Sequence, residues 1–533
     1  MTNGVHETEV LIAGGGPVGM ALALDLAYRN VGFLLVEATD GSVSHPRVGS
    51  VGPRSMELFR RWGLAGEIRD AGWPGDHPLD GAWVTAVGGH EIYRVRIGTA
   101  DSRPVPMHTP EPEQVCPQHW LAPILARNVG VHPDGPARLG WRLDGLTQTD
   151  DRVSATVTDV ADGTSRTVHA RYLVAADGAS SAIRKALDVA APALHPTRVF
   201  RNILFRAPRL REQLGDRNAL FYFLMLSPTV RYPMRAMDGR ALYRLTVGVD
   251  DSPQSRMDAT TLVKSAIALD TPFEVLSENE WHLTHRVAEQ FRVGRVFLLG
   301  DAAHTLSPSG GFGMNTGICS AADLGWKLHA QLAGWAGAGL LDTYQTERRP
   351  VAVQSLEEAN VNLRRTLNRE LPPEIHLDSA EGERARAEMA ERLERSGVRR
   401  EFDAPWIHLG FRYTSPIVVP DESEVGPSLQ RQSSAPGFRA PHAWLRPGVS
   451  TLDAFGRRYT LVGFAPSDRW DGARRAFADR GVPLETVVWQ DPAVADLYER
   501  RFVLVRPDGH VAWRGDELPA DPGRLVDTVR GAS

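Results

Sequence analysis

Only two cysteines, Cys116 and Cys319, occur among 533 residues, too few for a disulfide framework or a cysteine-rich metal site and in keeping with a reducing compartment. No apolar run approaches the roughly 20 residues that a membrane-crossing helix needs. An excess of charge is also missing. Lys plus Arg number 60 against 65 Asp plus Glu, so the chain offers no footprint for nucleic acid or for a membrane surface. The ligands expected are small molecules. The first strand begins by Glu9, which predicts no signal peptide ahead of it and a cytoplasmic protein. A chain of this length is expected to divide into roughly three domains. One further absence discriminates between enzyme classes: a strand, glycine triplet and helix in nucleotide-binding order occurs at the amino terminus and is not repeated between Glu37 and Ser533.

That first unit reads as an apolar strand, then Gly14-Gly15-Gly16-Pro17-Val18-Gly19, a helix-forming run, and the strand Phe33-Leu34-Leu35-Val36-Glu37. It has the βαβ order of a dinucleotide site and implies a bound ADP moiety. Gly14 permits the tight turn, Gly16 lets the backbone approach a pyrophosphate, and Gly19 lets the helix pack close to its strand. The helix N-terminus offers free N–H groups to phosphate. Glu37 falls at the end of the second strand, where a carboxylate accepts hydrogen bonds from ribose hydroxyls.

Two later segments add to this. Apolar Tyr172 to Ala176 runs into Asp177-Gly178-Ala179-Ser180-Ser181-Ala182-Ile183-Arg184, which reads either as an ordinary Asp-Gly turn with a capping Ser181 or as a second phosphate-side loop. Arg295 to Leu299 is a buried strand followed by Gly300-Asp301-Ala302-Ala303-His304, then the glycine-dense Pro308 to Asn315, then a helical run from about Ile318 to Leu332. A strand ending in a carboxylate, an accessible loop and a helix N-terminus make a site for a polyol chain and an electron-rich ring. His304, three residues after that carboxylate, is read as a packing or cofactor-side residue rather than a base.

In this order the three segments resemble the FAD-dependent aromatic hydroxylases, the single-component flavoprotein monooxygenases related to para-hydroxybenzoate and phenol hydroxylases, over about residues 8 to 360. The resemblance implies that Gly14, Gly16, Gly19 and Glu37 hold the ADP half of FAD and that Asp301 binds its ribityl chain. Gly313, Met314 and Asn315 would present backbone groups to the flavin ring, with Pro308 over the edge where oxygen reacts. Asp177, Gly178 and Arg184 match the family's Asp-Gly motif, associated with FAD and the nicotinamide nucleotide. Arg47, in His45-Pro46-Arg47-Val48-Gly49, resembles the family's pyrophosphate arginine, and Gln118 the glutamine that reaches the cofactor at a helix start. The absence of a second nucleotide unit fits this group, in which NADPH or NADH binds only transiently along the FAD domain. The implied cycle is hydride transfer to FAD, reaction of the reduced flavin with dioxygen to a hydroperoxide, and oxygen transfer to an activated aromatic ring.

The expected fold is α/β: a Rossmann-like FAD-binding domain from residues 1–187 and 290–400, a mixed or antiparallel substrate sheet from 188–289, a proline-rich linker at 401–433, and a thioredoxin-like domain at 434–533. Alternation in Leu242 to Val249 and the apolar run Ala219 to Leu226 predict strands of the substrate sheet. Tyr222, Arg235 and Tyr243 are the candidates to polarise a phenolic oxygen there, against a reading of the same residues as cross-strand packing. Glu381 to Arg400 is read as a charged surface helix. The last hundred residues resemble the module appended to phenol and polyketide hydroxylases, which favours bulky phenols or polycyclic polyketide aromatics. Lacking cysteine, that module cannot exchange disulfides and is expected to be structural or to serve a homo-oligomer. The competing readings are a flavin halogenase, a flavin-dependent double-bond reductase and a non-catalytic nucleotide-binding protein. The halogenase calls for a Trp-x-Trp pair, which the chain lacks.

Overall fold

A computed structural model describes residues 5–46, 49–132, 134–226, 232–249, 256–367, 371–423, 426, 430–465 and 470–533. The amino-terminal unit forms as read. Strand Val5–Ala13, helix Pro17–Tyr28 and strand Phe33–Glu37 follow one another. Val5–Ala13 pairs in parallel with Phe33–Glu37 on one side and Ser165–Ala175 on the other, and Ser165–Ala175 pairs with Val296–Leu298. These strands are apolar on both faces because helices cover both. Val10, Leu11, Ile12, Leu173, Val174, Phe297 and Leu298 are fully buried. Asp177 and Asp301 thus emerge at the same edge of one sheet, just beyond the carboxyl ends of neighbouring parallel strands.

A second, eight-stranded sheet stands beside the first. Its long strands Ala193–Arg206 and Glu274–Val287 are antiparallel, and Leu242–Val249, Tyr232–Ala236 and Phe221–Leu224 extend it in turn. The domain limits expected from sequence need correcting here. Gly81–Val84 pairs in parallel with Phe221–Leu224, and Glu91–Val95 forms the edge beyond it, so residues 81–95 belong to the second sheet rather than the first. Their apolar content gave no indication of partner, because strand pairing is set by tertiary contacts. At the opposite edge His304–Thr305 pairs with Arg286–Val287, directly downstream of Asp301.

Helix Ala380–Arg395 is a second correction. It is charged, as expected, yet Ala385, Met389 and Leu393 recur every four residues and are buried, and Met389 and Leu393 pack with Trp83, Ile92 and Phe223 of the second sheet. Residues 401–423 are not a free linker either, since helix Pro405–Leu409 and buried Phe411, Tyr413 and Ile417 lie along the body. The carboxy-terminal unit is a four-stranded mixed sheet. Tyr459–Gly463 is parallel to Leu484–Val488 and antiparallel to Phe502–Val505, which turns at Asp508-Gly509 into Val511–Gly515. This is the thioredoxin-like arrangement. Among the described residues, no helix is long and apolar enough to cross a membrane.

Candidate flavin and substrate site

The glycine turn is built by close approach. Gly14 has φ +115°, and a Cβ there would collide with the Ala176 carbonyl, so the turn is pressed against the strand end that leads into Asp177. A Cβ on Gly19 would collide with the Gly14 carbonyl. Gly16 differs: a Cβ built on it meets no atom within 4 Å. The turn therefore opens outward only at Gly16. The helix that starts there has no side-chain cap, which leaves its first N–H groups for a ligand anion. Glu37 is oriented by the same loop, its Oε2 accepting from Gly15 N at 2.7 Å and its Oε1 from Thr39 N at 2.8 Å.

The other cofactor candidates are drawn to this turn. Val18 is the nearest neighbour to any Cβ placed on Gly300 or Gly317, so helix Pro17–Tyr28 seats against the Gly300-Asp301 turn and helix Phe312–Leu332. Asp301 itself is exposed at the head of that turn. Arg184 Nη1 donates to Ala302 O at 3.1 Å, tying the Asp-Gly loop to the Asp301 segment. Asp177 Oδ2 accepts from Ile183 N at 3.1 Å, while its Oδ1 is buried without a partner among the described residues. An unsatisfied buried acceptor beside a glycine turn suits a hydroxylated ligand. Arg47 lies outside the described residues.

The far end of the cleft collects further helix starts. Gly311, at φ +70°, begins helix Phe312–Leu332, and Gly52 begins helix Pro53–Arg61, neither with a side-chain cap. Asn315 locks them together, accepting from Gly52 N at 2.8 Å and donating to Ser50 O at 3.2 Å and Gly311 O at 2.7 Å. Its side chain is thus structural. Gln118 opens a fourth such helix, Gln118–Val129, held alongside by Cys116 N donating to Gly49 O at 2.8 Å. Pro308 is exposed, and a Cβ on Gly313 would make only an ordinary contact with Leu306 Cγ at 3.9 Å. The sequence reading passed over Gly52-Pro53, although its Gly-Pro helix start repeats Gly16-Pro17. These residues fit FAD: open backbone at Gly16, uncapped helix starts at both ends, and carboxylates at two strand ends.

On the substrate sheet the candidates separate. Side chains alternate between faces, and the pairs Phe221↔Arg235 and Arg235↔Arg244 set these three on one face, while Tyr222↔Met234 and Ala236↔Tyr243 occupy the other. Tyr222 and Tyr243 are both buried in the core under helix Ala259–Ile267. The Tyr222 hydroxyl accepts from Ala219 N at 2.8 Å, and Tyr243 stacks on Phe205 at 5.7 Å. Burial pushes both phenols well above their ordinary range. Neither tyrosine shares the face of Arg235, which corrects the expectation for both. Tyr222→Phe should cost about 1 kcal/mol in urea unfolding and leave turnover unchanged; a loss of turnover at equal stability would contradict this placement.

Arg235 is the candidate left in place. Its side chain is 8% exposed, its Nε and Nη2 have no hydrogen-bond partner among the described residues, and it lies over the Phe221 ring at 4.6 Å. Burial and the neighbouring Arg244 push its guanidinium down to about 9, against the opposing pull of Glu113, so it stays charged at neutral pH. Burial also raises the Glu113 carboxyl, against the hydroxyl of Ser50 and the charges of Arg103 and Arg235. A Cβ on Gly49 would collide with the Arg235 guanidinium, and one on Gly311 would meet Ser50 Cβ at 3.7 Å. Among the described residues, Gly49 and Ser50 therefore lie between the arginine and the start of helix Phe312–Leu332.

A two-sheet body with a nucleotide cleft on one sheet and a polar anchor on the other defines a flavin-dependent oxidoreductase. The FAD-binding domain family matches residues 7–359, and the aromatic-ring hydroxylase C-terminal family matches residues 433–532. The chain belongs to the FAD-dependent aromatic-ring hydroxylases, a family of flavoprotein monooxygenases. It is similar to the tetracenomycin A2 monooxygenase-dioxygenase of Streptomyces glaucescens, at 32% identity over 97% of this chain and 95% of that one. Among solved structures it is similar to chromopyrrolic acid-soaked RebC with bound 7-carboxy-K252c, at 66% identity and a TM-score of 0.96 over 99% of this chain and 100% of that one. It also resembles a ternary complex of aklavinone-11 hydroxylase with FAD and aklavinone, at 30% identity and a TM-score of 0.82 over 99% of each chain.

Proposed function

We propose that the protein is a cytoplasmic, NAD(P)H-consuming monooxygenase that uses FAD and dioxygen to oxidise a polycyclic aromatic substrate bearing a carboxylate. The observation that carries this reading is Arg235: a buried cation whose Nε and Nη2 have no hydrogen-bond partner among the described residues, on the aromatic face of the sheet and one short segment from the cofactor helix. A buried guanidinium with unsatisfied N–H groups is costly, and Glu113 offsets that only in part, so such a group suits an anion. Arg244, its cross-strand neighbour, is fixed by donating to Pro46 O at 2.7 Å and adds to the positive field. The acid named in the RebC complex has the matching chemistry. This reading replaces a phenol polarised by tyrosine or arginine with an arginine-anchored acid.

FAD, when bound, supplies electron transfer from the nicotinamide and oxygen activation. The chain's own residues position and shield. The Gly16 turn, Glu37 and Asp301 hold the cofactor's polar length; the uncapped N-termini at Gly311 and Gly52 favour electron density on the ring. Trp83, Phe221 and Phe223 line the face that carries Arg235, and helix Ala380–Arg395 closes over them and keeps water out.

The test is binding of 7-carboxy-K252c and chromopyrrolic acid, followed by flavin absorbance. The Arg235→Gln protein should bind either acid about 10- to 100-fold more weakly, the worth of a charge-assisted hydrogen bond. Acid-stimulated NAD(P)H oxidation with matching dioxygen uptake should fall with it. If the parent protein binds each acid and its esterified form equally well, the proposal fails.

A further inference from the structure

The hairpin at residues 506–509 of the carboxy-terminal domain reaches into the FAD-binding body at a fully buried cluster of charge. Arg506 Nη1 donates to Glu347 Oε1 at 2.6 Å, and Nη2 to Glu347 Oε2 at 2.9 Å and Asp323 Oδ1 at 3.1 Å. Asp508 orients the guanidinium from behind, at 2.6 Å from Nη2 and 3.2 Å from Nε. Lys327 bridges the same two acids, at 2.8 Å from Asp323 and 2.7 Å from Glu347. Asp323 and Lys327 lie on helix Phe312–Leu332, and Glu347 on helix Thr343–Leu367.

The same hairpin also grips the second helix of the ring end. Arg54, in the first turn of helix Pro53–Arg61, donates to Asp508 O at 2.6 Å, and Arg61 donates to Pro507 O at 3.2 Å. The two helices held by the hairpin are the pair whose starts Asn315 joins. Arg348 completes the brace, donating to Thr316 O at 3.0 Å, Ser320 Oγ at 2.9 Å and Tyr413 Oη at 2.9 Å.

We propose that Arg506 and Asp508 are positioning residues for the flavin: the hairpin fixes the spacing of the Gly52 and Gly311 helix starts, so that the carboxy-terminal domain forms part of the frame of the cofactor site. The domain then acts through geometry rather than thiol chemistry. It needs no cysteine, and it has none. Burial favours this role over a merely stabilising one, because a satisfied buried ionic network specifies one arrangement while adding little net stability.

The proposal rests on FAD occupying these helix starts, so the parent is first titrated with FAD; a parent that binds no FAD overturns both that reading and this proposal. With FAD binding by the parent measured, Arg506→Lys keeps the charge and loses the two-pronged contact with Glu347. Its FAD dissociation constant should rise about tenfold, the scale on which supporting contacts behind a bound group act. The rise in Tm that FAD confers should shrink accordingly, and the visible circular dichroism of the bound flavin should change. If Arg506→Lys does not fold, Asp508→Asn carries the same test, because it removes the carboxylate that orients the guanidinium. A structural role alone would lower Tm equally with and without FAD and leave the dissociation constant within twofold of the parent; that result overturns the proposal.

Discussion

Gly16→Val should purify as a folded protein without bound flavin, whereas Gly19→Val should be unstable whether or not flavin is present. The contrast follows from what each new side chain meets. At Gly16 a Cβ enters open space, so the apo fold tolerates it and only a ligand pressed against that backbone is displaced. At Gly19 a Cβ runs into the Gly14 carbonyl, in the fixed crossing of helix and turn. Overpacking of backbone on backbone cannot relax by a rotamer change and should cost about 3 kcal/mol or more. Thermal unfolding of both apoproteins, beside the flavin absorbance of the purified material, separates the two. A yellow Gly16→Val protein would remove this turn from the cofactor site.

Glu347→Ala should destabilise the protein by about 3 to 5 kcal/mol, among the largest single effects in the chain, because it breaks a satisfied ionic network in a dry interior: Lys327 and Arg506 lose their contacts to Glu347 and keep only Asp323 and Asp508. Burial alone would raise the Glu347 carboxyl, but Arg506 and Lys327 outweigh it and hold it at about 2, below the 4.5 of the free side chain. A carboxylate whose pKa is depressed by folding binds protons more readily when unfolded. Its contribution is therefore complete above about pH 4.5 and is lost as the pH falls toward 2. Acid unfolding of the parent should show this loss, and the Glu347→Ala protein should lack that part of it. Equal acid midpoints, or a cost below 1 kcal/mol by urea unfolding, would show that the cluster does not carry the load assigned to it.

The turns and strand ends proposed to hold the cofactor were legible in the sequence because tight backbone approaches tolerate few residue types. Gly14 and Gly19 have neighbours where a side chain would go, Gly16 faces open space, and Glu37 and Asp301 end strands at the same edge. The substrate wall was not legible to the same degree. Alternation identified the strands around Tyr222 and Tyr243 but carries no absolute phase, and a shift of one residue exchanges every side chain between core and cleft. Arg235 fell on the cleft face and the two tyrosines on the other. The stripe Ala385, Met389 and Leu393 was written in helix Ala380–Arg395, yet its many charges masked it. The strands at residues 81–95 left no local sign of the sheet they would join. Nothing local foretold that Arg506 would pair with Asp323 and Glu347, more than 150 residues away.

His304–Thr305 continues the Asp301 turn and hydrogen-bonds as a strand to Arg286–Val287 of the second sheet. Cofactor loop and ligand wall are thus one length of hydrogen-bonded backbone, and the wall cannot be exchanged as a cassette. Chimeras that import a relative's ligand preference should tolerate exchanges within residues 221–249, while junctions placed between Arg286 and Thr305 should disturb the loop that presents Asp301.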